Sequence, residues 1–260
     1  MTDLKNSEQC TLSIRLGAEG LSFALFNPLA EGESTMTINE RAADETLPLA
    51  ANLRLAFDEW KWLRQPFRRV HVLMATRRYT LLPLDCFEEE QAEAVFYHNL
   101  LRVEHERVCY NVLHTNNAVV LFGMDQSVSD CVEGLYPNAR YHAQVSPLIE
   151  NFAIRSRLGN TRKMYVHLHQ EYADVFCYEG GRLLLANSYQ CGRTSDRVYC
   201  LLYAWQTLGF EQERDELFLC GAPTGRDELR MELAAFVRHV HVMSPACDID
   251  LQEISNNRTA

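Results

Sequence analysis

The chain has 260 residues, 47% of them hydrophobic and 23% charged, a balance that fits an ordinary globular protein of one large or two modest domains. Its formal net charge of -10 argues against a general nucleic-acid binder, since phosphate contact needs clustered Lys and Arg. The densest basic runs, Arg64 to Arg69 and Arg155 to Lys163, are short and interrupted, and they read as solvated surface.

Thr11 to Leu16 has a strand pattern, Gly17-Ala18-Glu19-Gly20 is a turn, and Leu21 to Phe26 returns as a second strand. Asn27 to Gly32 reads as a loop and Ser34 to Ile38 as a third strand. Leu47 to Leu63 is helical, because Leu49, Leu53, Ala56, Phe57 and Trp60 recur at three- and four-residue intervals, and Pro66 ends it. Val70 to Ala75 has the apolar character of a buried strand. Tyr79 to Leu82 is extended, and Glu88 to Leu101 is an amphipathic helix with acidic residues in its first turn, where they suit the helix dipole. Arg107 to His114 and Val119 to Gly123 make a hairpin around Thr115-Asn116-Asn117, so Pro83 to Phe122 reads as a small α/β insertion. A helix near Val128 to Leu135, a strand at Arg140 to Ala143 and a helix from Pro147 to Leu158 follow, the last with Ser146 as N-cap.

Gly159-Asn160-Thr161 is the expected boundary between halves. Beyond it, Met164 to Tyr189 reads as three strands joined by two tight turns, the clearer being Glu179-Gly180-Gly181. Thr194 to Leu208 is helical, Leu217 to Cys220 is an apolar strand ending on Gly221, Arg226 to Arg238 is a helix and Val240 to Met243 a strand. The polar tail from Gln252 is expected to be mobile. The second half thus repeats the plan of the first, in element order rather than in residue identity. These elements predict an α/β protein with a first domain over 1–158, carrying the insertion at about 83–122, a second over 159–251 and a tail over 252–260.

This element order resembles the actin-like ATPase superfamily, a duplicated ribonuclease H-like fold in which two related α/β domains face each other across a nucleotide cleft. Within it the layout is similar to the bacterial FtsA and PilM type, where a small subdomain enters the first domain after a strand like Val70-His71-Val72-Leu73-Met74-Ala75. It also resembles an uncharacterised bacterial family assigned to this fold without an established activity. In the superfamily each domain opens with an Asp-x-Gly turn, whose Asp positions Mg²⁺ or its waters and whose Gly lets backbone amides approach phosphate. The matching stretch in the first half is Ile14-Arg15-Leu16-Gly17, with Gly17 kept and Arg15 where the carboxylate belongs. In the second half it is Val166-His167-Leu168-His169, so His167 and His169 replace both Asp and Gly. The adenosine-binding motif, a strand ending in paired glycines before a helix, becomes Leu219-Cys220-Gly221-Ala222-Pro223, in which Ala222 follows the one retained glycine. Arg15 cannot ligate a metal, and the bulk of His169 hinders a phosphate from lying against the backbone. The resemblance therefore implies a degenerate nucleotide cleft at Arg15, Gly17, His167, His169, Gly221 and Ala222. Plainer readings stand beside it: Gly17 and Gly20 suit a hairpin turn, Gly221 suits a strand end, and Arg15 suits a salt bridge or a direct anion contact.

His167 and His169 share one strand face, as do His239 and His241, because strand side chains alternate. Such pairs bind Zn²⁺ when a third ligand converges, but no spacing here requires one, so no metal ligand is assigned. No GxSxG, Walker A, HExxH or GxGxxG pattern occurs, and no catalytic residue is assigned. Nine scattered cysteines without a Cys-x-x-Cys pair, no apolar leader and no run of about 18 apolar residues predict a reduced, cytoplasmic setting without direct membrane insertion. The resemblance implies a non-catalytic scaffold or interaction module that binds a protein partner and no nucleic acid. It requires no cofactor, and it allows both self-association and ATP binding without Mg²⁺-dependent hydrolysis. The alternative is an ATP-binding protein or weak ATPase with altered phosphate contacts, and a metal-dependent hydrolase built on the histidine strands ranks third.

Overall fold

The computed structural model describes residues 7–28, 36–221, 225–243 and 248–256. β1 (Thr11–Gly17), β2 (Gly20–Phe26) and β3 (Met36–Arg41) run antiparallel, α1 (Leu49–Glu59) follows, and β4 (Arg69–Met74) lies parallel to β1. Next come β5 (Tyr79–Pro83), α2 (Ala92–Asn99), β6 (Glu106–Leu113), β7 (Ala118–Asp125) and α3 (Gln126–Glu133). β8 (Arg140–Ala143) then joins the first sheet alongside β4, and α4 (Val145–Ser156) follows it. The second half runs β9 (Arg162–Leu168), β10 (Tyr172–Glu179), β11 (Arg182–Gln190), α5 (Thr194–Thr207), β12 (Glu216–Gly221), α6 (Arg226–Leu233), β13 (His239–Val242) and α7 (Ile249–Asn256). The strand orders β3-β2-β1-β4-β8 and β11-β10-β9-β12-β13 are one topology written twice. The duplicated α/β plan expected from element order is therefore present. β1 and β9 are central and buried on both faces, although both carry polar side chains, β1 alternating Leu12, Ile14 and Leu16 on one face with Thr11, Ser13 and Arg15 on the other.

The chain divides into two compact units. One comprises Met1–Leu113, Asn117–Pro147 and Asp250–Ala260, the other His114–Asn116 and Leu148–Ile249. In the first unit, Leu12, Ile14 and Leu16 fill one face of the sheet, where Phe23 meets Phe57 of α1 edge-on at 6.5 Å. On the opposite face, Leu251 and Ile254 of α7 pack over Ala24 and Leu73, flanked by Met36 and Ile38. In the second unit, Met164, Val166 and Leu168 pack with Leu201, Trp205, Leu229 and Leu233 of α5 and α6. Its opposite face carries Tyr165, stacked on Phe152 of α4 at 4.4 Å, while the Tyr178 hydroxyl donates to the Ile149 carbonyl at 2.8 Å.

Several expectations change here. The division falls inside α4, earlier than Leu158, because Phe152 and Ile149 are tied to β9 and β10. Residues 249–256 form a helix held on the first sheet, not a mobile tail from Gln252, and residues 257–260 lie outside the described set. Burying a side chain the size of Leu251 or Ile254 contributes roughly 1.5–3 kcal/mol, which holds a two-turn helix too short to persist alone. Most of α4 is thus assigned to the second unit and most of α7 to the first. Pro147 is the third residue of α4, within the first turn where its missing N–H is tolerated, and Ser146 donates to Asn111 Oδ1 at 2.9 Å instead of capping the helix.

The insertion lies between β4 and β8, as expected. It begins at Tyr79 and ends at Asp125 rather than spanning about 83–122, because β5 pairs with β7 in a three-stranded sheet of order β5-β7-β6. α2 covers that sheet through Phe96 against Val119 and Leu121. Asp125 then caps α3, accepting from the Ser127 N–H at 2.7 Å. Among the described residues, no helix is long and apolar enough to cross a membrane.

Candidate functional site

In the first unit, β1 places Arg15 directly across from Ser22 of β2, which in turn lies across from Glu40 of β3. Side chains in such a row share a face, and this is the face covered by α7. Arg15 Nη1 donates to Asp250 Oδ1 at 3.1 Å, and Nη2 donates to Ser22 Oγ at 2.9 Å and lies 3.6 Å from Glu40 Oε1. The Asp250 side chain is fully buried, and its Oδ2 also accepts from Gln144 Nε2 at 2.7 Å. Arg15 is thus fastened to the C-terminal helix of its own unit. Gly17, two residues on, lies against β4: a Cβ there would approach Ala75 Cβ to 2.9 Å.

In the second unit, His167 is on β9 and His169 opens the turn into β10, whose register sets Asp174 directly opposite His167. His167 Nδ1 lies 3.1 Å from His169 Nε2, which lies 3.0 Å from Asp174 Oδ2. All three side chains are buried. The Ser188 hydroxyl of β11 donates to the other oxygen of Asp174, and the His169 ring stacks on Tyr172 at 3.9 Å. Arg197, buried near the start of α5, donates from Nη2 to the carbonyls of His169 and Gln170 at 2.7 Å each, and from Nε to that of Cys191 at 3.0 Å. Gly221 ends β12 at φ +86°, and a Cβ there would sit 2.3 Å from the Leu168 carbonyl oxygen. Close backbone approach and a positive φ therefore require this glycine, whatever else the strand end does.

A second histidine pair, on the first sheet, was not singled out by sequence. His71 Nδ1 lies 3.1 Å from His142 Nε2. Burial, reinforced by Arg140 and Arg69, pushes the His71 pKa down to about 4. Burial, with His71 and Arg140 beside it, pushes that of His142 down to about 3.

A family described as Protein of unknown function (DUF3822) matches residues 1–240. The chain belongs to this family. A crystal structure of a Bacteroides thetaiotaomicron VPI-5482 protein with an actin-like ATPase fold and unknown function is similar at 44% identity, with 99% of this chain and 100% of that one covered and a TM-score of 0.93. A structure of the PilM-PilN type IV pilus biogenesis complex matches at 13% identity over 90% of this chain and 88% of that one, with a TM-score of 0.55, a likeness of fold alone. No curated protein matches the chain. This DUF3822 member therefore has the actin-like ATPase fold that its element order resembled.

Of the residues singled out by sequence, Arg15 and Gly17 fall on β1 of one unit, and His167, His169 and Gly221 fall together around β9 and β12 of the other. Ala222 lies outside the described residues. His239 and His241 share a face with rings 6.4 Å apart, but among the described residues no third ligand converges on them. Sequence reasoning missed Asp250 and Asp174. Asp250 is 235 residues from Arg15 and carries no local signal. Asp174 was within reach, because fixing the β9–β10 hairpin at residues 169–172 places it opposite His167.

Proposed function

We propose that this DUF3822 protein is a non-catalytic actin-like scaffold, working in the cytoplasm by binding a protein partner rather than by hydrolysing ATP. The observation that carries the reading is the Arg15–Asp250 ion pair. Phosphoryl transfer depends on positioning and on neutralising phosphate charge, largely through metal ions and fixed donors. A guanidinium at the position of a metal-orienting carboxylate repels Mg²⁺, and its engagement by Asp250 and Ser22 holds it away from any role as a mobile phosphate clamp. In the other unit, two buried imidazoles occupy the stretch where the family pattern has Asp and Gly. The retained glycines have packing reasons of their own at Ala75 and Leu168, so they lend little weight to nucleotide binding. The partner is read as a protein because the fold relative PilM is found in complex with PilN. The exposed, mutually stacked Tyr199 and Tyr203 of α5 suit such contact, since aromatic side chains are enriched at protein interfaces.

A phosphate-release assay tests this reading. The purified protein is expected to release no phosphate from ATP above the protein-free background, with or without Mg²⁺. Mg²⁺-dependent release that disappears when Gly17 is replaced by a bulky residue would overturn it.

A further inference from the structure

We infer that His167, His169 and Asp174 form a binding site for one divalent transition-metal cation of the Zn²⁺ class. The sequence supplied two imidazoles two residues apart and lacked a third ligand; the β9–β10 register supplies it. His167 Nδ1, His169 Nε2 and Asp174 Oδ2 are separated by 3.1, 3.0 and 4.0 Å. Ligand atoms on a tetrahedron with bonds of about 2.1 Å lie about 3.4 Å apart, so the three donors are already near the required edges.

The donor set selects the ion. Two neutral imidazoles and one carboxylate suit Zn²⁺ or Co²⁺, whereas Mg²⁺ and Ca²⁺ demand oxygen ligands in larger number. The surroundings hold the donors from behind. Ser188 occupies Asp174 Oδ1, which turns Oδ2 toward the histidines, and Tyr172 fixes the plane of the His169 ring. Arg197 clamps the carbonyls of the turn that carries His169. Such outer contacts orient metal ligands and are a regular part of metal sites.

Hydrogen bonding serves this cluster less well than a cation does. His169 Nε2 faces both His167 Nδ1 and Asp174 Oδ2, and it carries at most one proton. A cation draws all three lone pairs at once, and its charge offsets the cost of keeping the Asp174 carboxylate 2% exposed. Three protein ligands leave one tetrahedral position for water or an anionic group. The inference shares His167 and His169 with the scaffold reading but does not rest on the Arg15–Asp250 pair that carries it, so each can fail without the other.

The test uses the full chain, dialysed against chelator and titrated with Co²⁺. The expected result is a visible ligand-field absorption of tetrahedral intensity that saturates at one equivalent and is displaced by Zn²⁺. It should lack the near-ultraviolet thiolate band that binding by any of the cysteines would add. His169→Ala and Asp174→Asn should abolish it. Ser188→Ala, a milder change at a half-buried strand position, should weaken Co²⁺ binding by about 10–100-fold while the chain stays folded. It keeps the test open if the buried substitutions fail to fold. No visible band from the wild-type chain, a thiolate-dominated spectrum, or unchanged affinity in Ser188→Ala would each overturn the inference.

Discussion

Replacing Arg15 with alanine is expected to destabilise the first unit by roughly 3–5 kcal/mol, the usual cost of leaving one member of a buried ion pair behind. The asymmetry of the pair sets which partner matters more. Asp250 has no exposed side-chain surface, so without Arg15 its carboxylate loses a guanidinium partner in a site it cannot leave, while Gln144 remains. Arg15 is 18% exposed and keeps Ser22 and Glu40, so Asp250→Ala should cost less, about 1–3 kcal/mol. The double variant should recover at least about 1 kcal/mol of the summed single losses, as residues in direct contact do. Chemical denaturation read through Trp60 and Trp62, both in this unit, measures these differences. An Arg15→Ala loss under about 1 kcal/mol would mean that the pair does not anchor α7.

Acid should act through the other buried pair. His71 and His142 both have folded-state pKa values below the ordinary 6.5, so the unfolded chain binds protons that the folded chain refuses. Their neutral-state stability is complete above pH 6.5 and is lost as the pH falls toward about 4. At about pH 5 each histidine should cost about 2 kcal/mol relative to neutral pH, and the two together about 3–4 once the remaining solvent at His142 is discounted. Protonation would also give His71 a second ring N–H to satisfy, and its buried Nε2 has no partner among the described residues. Denaturation midpoints across this pH range provide the measurement. A His71→Gln, His142→Gln double variant should flatten the dependence, and an equally steep fall in that variant would assign the acid sensitivity elsewhere.

Most of the architecture was legible because its signals are local. Strand alternation, the Gly17–Gly20 and Gly180–Gly181 turns and the three- and four-residue spacing in α1 lie within short windows, and the repeat emerges from their order. The two architectural misses are long-range. α7 has only three apolar positions in a polar stretch, and its helix exists because Ala24 and Leu73 offer them a surface more than 150 residues away in sequence. The insertion was read too short because the pairing of β5 with β7 depends on a strand about 40 residues later, with no hairpin turn to announce it. At the candidate site, the departures at Arg15, His167 and His169 could be read directly. Their partners Asp250 and Arg197 could not, since each is brought in by another element, whereas Asp174 needed only the β9–β10 turn to be fixed.

Isothermal calorimetry of the purified chain with ATP, in the presence and absence of Mg²⁺, tests the central claim most directly. A scaffold in which a cation stands at the metal-orienting position predicts either no ATP binding or binding that Mg²⁺ fails to strengthen. ATP binding that is strengthened by Mg²⁺ and lost when bulk is introduced at Gly17 would contradict it.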